Sequence, residues 1–139
     1  MLMPEPDGQI LARRGDIVRT LRAMVPPESI IVDEDELRVY ESDGLTAYRQ
    51  LPLIVVLPET TEQVSRVLAY CHQAGVKVVP RGAGTSLSGG ALPLADAITL
   101  GLGKFNRILE VDFANRCVVA QPGVTNLAIT EAVAGEGFY

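Results

Sequence analysis

The stretch best suited to chemistry is a glycine-rich run from Pro80 to Gly90, which reads PRGAGTSLSGG. Small residues at this density let the backbone approach a ligand closely and turn several amide N–H groups toward one point, forming an anion-binding nest. The hydroxyls of Thr85, Ser86 and Ser88 add further donors. A pyrophosphate needs many short donors and no bulky side chain, so this pattern favours it as the ligand. A tight surface loop without a ligand is the alternative reading of the glycine content.

Two common nucleotide-binding motifs are not present in this run. A Walker loop requires Gly-Lys followed by Ser or Thr, but the nearest Gly-Lys pair ends at Lys104 and is followed by Phe105. A dinucleotide-binding GxGxxG fingerprint requires a third glycine at the position that Leu87 occupies. The run therefore indicates a phosphate site of another type.

Composition excludes several other classes of function. A formal charge of −5 disfavours a nucleic-acid partner, because binding to a polyanion draws on a basic patch. Cys71 and Cys117 lack the spacing of a zinc site or a disulfide framework, so both are expected to be buried free thiols. The single histidine, His72, is expected to be structural or exposed. No apolar run reaches the roughly 18 residues of a membrane span, and the N-terminal residues lack the pattern of a secretory signal. A cytoplasmic protein without a metal site is expected.

A strand, helix, strand unit must hold the glycine-rich run. The apolar residues 53–57 predict a strand buried on both faces, and Thr60 with Gln63 predicts the capped start of a helix that ends at Gly75. Residues 76–79 then predict a second strand, parallel to the first, which leads directly into the run. Residues 97–100 are a candidate third strand.

The remaining segments predict a helical N-terminal region and a hairpin. Residues 9–24 have the spacing of one amphipathic helix, and we assign 1–39 to an N-terminal helical segment and 40–139 to the domain that follows. Residues 107–112 and 117–120 predict an antiparallel hairpin with Asn115 at a left-handed turn position. A last helix is expected to begin near Thr125. Its predicted packing side consists of Leu127, Ala128, Ala132 and Val133.

Four segments together resemble one family. They are YESDGL at residues 40–45, the strand at 52–58 with its TEQV helix start, the glycine-rich run, and QPGV at residues 121–124. The chain resembles the FAD-linked oxidases that share the fold of vanillyl-alcohol oxidase and p-cresol methylhydroxylase (PCMH). Within them it is most similar to glycolate oxidase flavin subunits and D-lactate dehydrogenases.

The resemblance implies an α/β (α+β) fold, namely the N-terminal part of a PCMH-type FAD-binding domain with a small parallel β-α-β sheet followed by an antiparallel hairpin. It also implies that the loop wraps the FAD pyrophosphate and that a second segment lies along the cofactor. The implied cofactor-binding residues are Pro80, Arg81, Gly82, Ala83, Gly84, Thr85, Ser86, Leu87, Ser88, Gly89, Pro122, Gly123 and Val124. For Arg81, a loop-bracing role and a phosphate or ribose contact remain equal alternatives. Without the family, Pro122 and Gly123 indicate only a strand-ending turn.

The resemblance further implies oxidation of a small 2-hydroxy acid to the 2-oxo acid, with further oxidase subunits, including an iron-sulfur subunit, as partners. Some members tether flavin through a histidine where this chain has Thr85, so noncovalent FAD is expected. No catalytic residue is assigned, and the chain alone is expected to be inactive, to bind FAD weakly and to self-associate. A location at the inner membrane through partner subunits is compatible with the cytoplasmic expectation. A stand-alone phosphate or nucleotide module, and a structural fragment without a ligand, are the alternatives.

Overall fold

The computed structural model describes residues 3–139, which form a four-stranded sheet, a two-stranded sheet and the helices around them. The strands are β1 (Ile30–Ile31), β2 (Ile54–Val56), β3 (Lys77–Arg81), β4 (Ala97–Gly101), β5 (Ile108–Asp112) and β6 (Cys117–Ala120). The helices are α1 (Gly8–Ala12), α2 (Arg14–Leu21), α3 (Glu34–Leu37), α4 (Thr61–Ala74) and α5 (Asn126–Val133). The predicted mixed α/β fold, with parallel strands followed by a hairpin, is confirmed.

The larger sheet has the strand order β1-β2-β4-β3, and β4 runs parallel to both of its neighbours. The predicted β2-α4-β3 unit is therefore parallel, with β4 inserted between its two strands. The register aligns Val55, Thr99 and Val79 across them. Strand β1 pairs antiparallel with β2 at the edge and is not predicted, because two residues are too few to show a pattern. All three parallel strands thus present their carboxyl ends at one edge of the sheet.

The interior strands are buried on both faces, as the apolar run in β2 predicts. Every residue of β2 and β4 is buried. The core on one face combines Ile17 and Leu21 of α2, Val67 of α4, and Ile54 and Ile98 of the sheet. The N-terminal helices therefore share a core with the strands that carry the glycine-rich loop. The boundary at residue 39 stays a prediction.

Helix α4 connects β2 to β3, and both of its ends are capped as predicted. The Thr60 hydroxyl accepts a hydrogen bond from the Gln63 amide at 3.2 Å, while the Gln63 side chain accepts one from the Glu59 amide at 2.7 Å. The helix ends at Gly75, whose φ of 68° lies in the left-handed region that glycine adopts without strain. These local signals fix where β3, and hence the loop after it, begins.

The single helix predicted over residues 9–24 is instead two helices, α1 and α2. The chain bends between them at Arg13, which has φ −91° and ψ 3°. The guanidinium of Arg14 donates to the carbonyl oxygens of Leu53 at 3.0 Å and Val32 at 2.6 Å. These tertiary hydrogen bonds hold α2 against the sheet, and the helical spacing of the sequence contains no sign of them.

The hairpin forms over the predicted residues, but its left-handed residue is different. Arg116 has a φ of 55°, whereas Asn115 does not adopt a positive φ. The Asp112 carboxylate accepts hydrogen bonds from the Asn115 backbone amide at 2.9 Å and from its side-chain amide at 2.6 Å. Because this side-chain cap holds Asn115, the left-handed step falls on the next residue. On β6, Cys117 is exposed, so the expectation of a buried thiol is wrong there and correct for Cys71.

Helix α5 begins where predicted, with the Thr125 hydroxyl accepting a hydrogen bond from the amide three residues on. Its packing side is only partly as predicted. Val133 is buried, but Leu127 is 65% exposed and Ala132 is also exposed. The hairpin and α5 enclose a cavity that Ile129 and Val133 line from the helix side. The helix is therefore rotated relative to the predicted face, because the position of the hairpin decides which stripe is covered.

Candidate cofactor site

The predicted glycine-rich site lies at the carboxyl end of β3. Pro80 and Arg81 are the last residues of that strand, which extends beyond the predicted end at residue 79. Residues 82–89 form a connection without helix or strand. Ligands of open α/β sheets bind outside the carboxyl ends of the parallel strands. The fold therefore places the predicted loop at the edge of the sheet where a ligand site is expected.

Two glycines give this loop its shape. Gly84 has a φ of 73° and Gly89 a φ of 74°, both in the left-handed region. A Cβ at Gly84 would overlap the guanidinium of Arg81, so the loop closes over that side chain. A Cβ at Gly82 would meet no atom within 4 Å. The Arg81 side chain thus occupies the space beside Gly84, whereas the space beside Gly82 is open.

The loop contains a run of amide donors without acceptors. Among residues 3–139, the backbone amides of residues 82 to 87 donate to no other described group. The Ser88 amide donates only to the Ser86 hydroxyl, at 3.3 Å. The loop side chains are small except for Leu87, which is 76% exposed. Successive free amides beside serine and threonine hydroxyls match the donors that a pyrophosphate requires.

Arg81 is engaged by the protein rather than extended into solvent. Its Nη1 donates to the carbonyl oxygen of Ser42 at 2.7 Å, and its Cζ lies 5.5 Å from the centre of the Tyr40 ring. A guanidinium over an aromatic face at this distance is attracted by the ring. Of the two roles considered for Arg81, this geometry supports loop bracing.

Residues 40–45 contact the glycine-rich loop, although the sequence indicates a role for them only through the family resemblance. Asp43 is 4% exposed, and its Oδ1 and Oδ2 accept hydrogen bonds from the amides of Leu45 at 2.9 Å and Ala91 at 3.4 Å. A Cβ at Gly44 would lie 2.7 Å from the carbonyl oxygen of Thr85. An Asp-Gly pair is a common turn signal. That signal does not show that Asp43 is buried beside a loop about 40 residues further along the chain.

The second predicted segment, Pro122–Val124, follows β6 and packs against the turn after β4. The Gly123 amide donates to the Phe105 carbonyl oxygen at 2.7 Å, and a Cβ at Gly123 would lie 2.9 Å from the Leu102 carbonyl oxygen. The Leu102 amide in turn donates to the Arg81 carbonyl oxygen at 2.9 Å. The structure therefore brings both predicted segments to the same edge of the sheet, and Gly123 is required there by close packing.

Other ionisable groups lie outside this edge. His72 is exposed in the last turn of α4. Burial raises the pKa of the Cys71 thiol to about 11, so this cysteine stays protonated and unreactive. Among the described residues, no group of three or more His, Cys, Asp or Glu side chains is arranged to hold a metal ion. Within residues 3–139, no helix is long and apolar enough to cross a membrane.

Comparison with known proteins identifies relatives that match most of the chain. The glycolate oxidase subunit GlcD of Escherichia coli (strain K12) is 48% identical over 126 residues, and that of Bacillus subtilis (strain 168) is 34% identical over 124 residues. These matches cover 91% and 89% of this chain but 25% and 26% of the relatives, so the chain spans about a quarter of their length. The similarity extends further toward the N terminus than the predicted start at Tyr40.

Solved structures confirm the predicted fold. Substrate-bound p-cresol methylhydroxylase superposes with a TM-score of 0.80 at 22% identity, and 4-ethylphenol oxidase from Gulosibacter chungangensis with a TM-score of 0.80 at 24% identity. Each match covers 99% of this chain and 27% of the other protein. A family model described as an FAD binding domain matches residues 52–139, which include the glycine-rich loop and the Pro122–Val124 segment. The chain therefore belongs to this family of FAD-binding domains.

Proposed function

We propose that residues 80–89 and 122–124 hold FAD, with its pyrophosphate on the backbone amides of residues 82 to 87. The observation that carries the proposal is the run of amides without protein acceptors at the carboxyl end of β3. The open space at Gly82 leaves room for phosphate oxygens to approach the backbone. FAD, when bound, supplies a flavin that accepts a hydride. The residues of this chain bind and orient it.

The bound FAD is noncovalent in this proposal. Some members of the family tether flavin through a histidine at the position of Thr85, and a threonine hydroxyl does not form the same bond. Thr85 is exposed in the loop, where its hydroxyl is free to donate to a phosphate oxygen. The lone His72 lies on a different element, α4.

The reaction proposed for the whole protein is oxidation of a small 2-hydroxy acid, of the glycolate or D-lactate type, to the 2-oxo acid. Two relatives are named as glycolate oxidase subunits, and a protein of Stutzerimonas stutzeri that is 28% identical over 123 residues is named as a D-2-hydroxyglutarate dehydrogenase. Each of these names refers to a 2-hydroxy acid. We place the catalytic acid and base groups in the part of the relatives that the chain does not match.

Partner subunits and a location are also part of the proposal. The Escherichia coli relative is named as one subunit of an oxidase, and further subunits, including an iron-sulfur subunit, are proposed here by family resemblance. We also propose a cytoplasmic location, peripheral to the inner membrane through those subunits. The isolated chain is proposed to self-associate through its exposed apolar side chains.

An NMR titration of the ¹⁵N-labelled chain tests the cofactor site, because it measures weak binding residue by residue. We expect FAD and ADP, which share the pyrophosphate, to shift the amide signals of residues 82 to 87, and riboflavin, which has no phosphate, to leave them unchanged. Unshifted loop amides at saturating FAD would refute the proposed site. If ADP binds as tightly as FAD, the chain is instead a general nucleotide-binding module.

A further inference from the structure

We infer that residues 40–45, called the brace below, set the glycine-rich loop in its anion-binding conformation before the cofactor arrives, with Asp43 and Gly44 as positioning residues. This inference rests on the proposed function of the loop. None of the brace residues belongs to the predicted cofactor-binding set. Their contacts, however, fix both ends and the middle of that loop.

The brace holds the two ends of the loop through consecutive residues. At the start of the loop, the Arg81 guanidinium donates to the carbonyl oxygen of Ser42 at 2.7 Å. At its end, the Ala91 amide donates to the carboxylate of Asp43 at 3.4 Å. The ends are therefore held at neighbouring points, which reduces the conformations that the intervening glycines can sample.

Gly44 determines which way the middle of the loop faces. A Cβ at this position would lie 2.7 Å from the carbonyl oxygen of Thr85 and 2.8 Å from that of Ser86, while the Thr85 carbonyl carbon is further away at 3.0 Å. The Thr85 oxygen is therefore turned toward Gly44. In a planar trans peptide the N–H is directed opposite to the C=O. The Ser86 amide, and by the same contact the Leu87 amide, consequently point away from the brace.

Asp43 holds this arrangement from a buried position. It is 4% exposed, and no Lys or Arg within the described residues forms an ion pair with it. Both of its oxygens are occupied by backbone amides, those of Leu45 and Ala91. A carboxylate can accept at both positions, whereas an asparagine would present an NH₂ group to one of the two amides. Asp43→Asn therefore removes one of these two hydrogen bonds while leaving the volume of the side chain nearly unchanged.

The test compares D43N and G44A with two matched controls in the same NMR experiment. D96N is the control for a buried aspartate, because Asp96 is 2% exposed but lies before β4, at the opposite end of the sheet. G15A is the control for a glycine, because a Cβ at Gly15 would meet nothing within 4 Å. We expect D43N to raise the Kd for FAD about tenfold, as the loss of a hydrogen bond to a charged group implies. We expect D96N and G15A to leave the Kd within about twofold, a shift of less than half a kcal/mol.

A second measurement without FAD separates the brace from the cofactor proposal. In the wild-type chain we expect ¹⁵N order parameters for residues 82 to 87 near the rigid value of about 0.85, falling to about 0.6 or below in D43N and G44A. An ordered loop in both variants, or an equal rise in Kd in D96N, would overturn the inference. If the wild-type loop is ordered by the brace but FAD does not bind, the brace stands and the proposed function is wrong.

Discussion

The loop conformation predicts a specific outcome for Gly84→Val. Gly84 has a φ of 73°, which a β-branched residue adopts only under strain, and a Cβ there would overlap the Arg81 guanidinium. Since the loop is closed over Arg81, a valine must either displace that side chain or lift the loop away from it. Displacement breaks the hydrogen bond to Ser42 at 2.7 Å and the contact with the Tyr40 ring.

The expected magnitude has two parts. The left-handed conformation costs a residue with a Cβ roughly 1–2 kcal/mol. Loss of the charged hydrogen bond from Arg81 adds about 1.5 kcal/mol, at the lower end of the usual range because the side chain is only half-buried. The total of about 3 kcal/mol lowers the Tm by roughly 10 °C for a domain of this size but leaves it folded. If two charged hydrogen bonds to the pyrophosphate are lost as well, the Kd for FAD rises about 100-fold.

Thermal denaturation followed by circular dichroism and FAD titration followed by NMR measure the two effects separately. Gly82→Val separates the effect on stability from the effect on FAD binding. Because a Cβ at Gly82 enters open space in the free protein, we expect a nearly unchanged Tm. We expect its loss of FAD binding to be similar to that of Gly84→Val. Gly135→Val, which also has no neighbour within 4 Å but lies away from the site, is the control for both measurements. Wild-type affinity for FAD in G84V would refute the proposal that this loop binds the FAD pyrophosphate.

Four further outcomes are expected. Acid precipitation of the FAD-loaded protein should release all flavin into the supernatant, and flavin in the pellet would contradict the role of Thr85. The pKa of Asp96 is lowered, since burial raises it but the hydrogen bonds from Lys77 at 2.7 Å and from the Asp7 amide at 2.9 Å outweigh burial. Its folded-state pKa lies below its ordinary value of 3.8, so its contribution to stability is present above that pH and is lost as the pH falls further. The lower Tm of D96N at pH 7 should therefore converge with the wild-type Tm in strong acid, and a constant gap would be contrary evidence. Thr99→Val should raise the free energy of unfolding by about 1 kcal/mol, because it removes a buried hydroxyl without a partner among the described residues, and urea denaturation measures this. Sedimentation of the isolated chain should show a dimer or larger species, because side chains such as Leu127 are exposed; a monomer at all concentrations would exclude self-association.

Local signals in the sequence determined most of the elements. These signals depend on residues that are only a few positions apart in the sequence. They include the caps at Thr60 and Gly75, the apolar run in β2 and the start of α5. The glycine-rich loop belongs to the same class, because backbone freedom and small side chains are properties of the residues themselves. A glycine-rich loop directly after a parallel strand was therefore predictable from the sequence alone.

The tertiary structure alone decided which residues support that loop. Asp43 and Ala91 are 48 residues apart, and Ser42 and Arg81 are 39 apart, so no periodicity or motif spacing connects them. The same is true of the bend at Arg13, where the next residue bonds to carbonyl oxygens of distant segments, and of the rotated face of α5. In each case the local structure depends on a hydrogen bond or a packing contact with a distant segment. These segments meet only after the sheet has formed. A side chain's local propensity carries no information about such a partner, which is why the buried carboxylate beneath the loop is visible only in the fold.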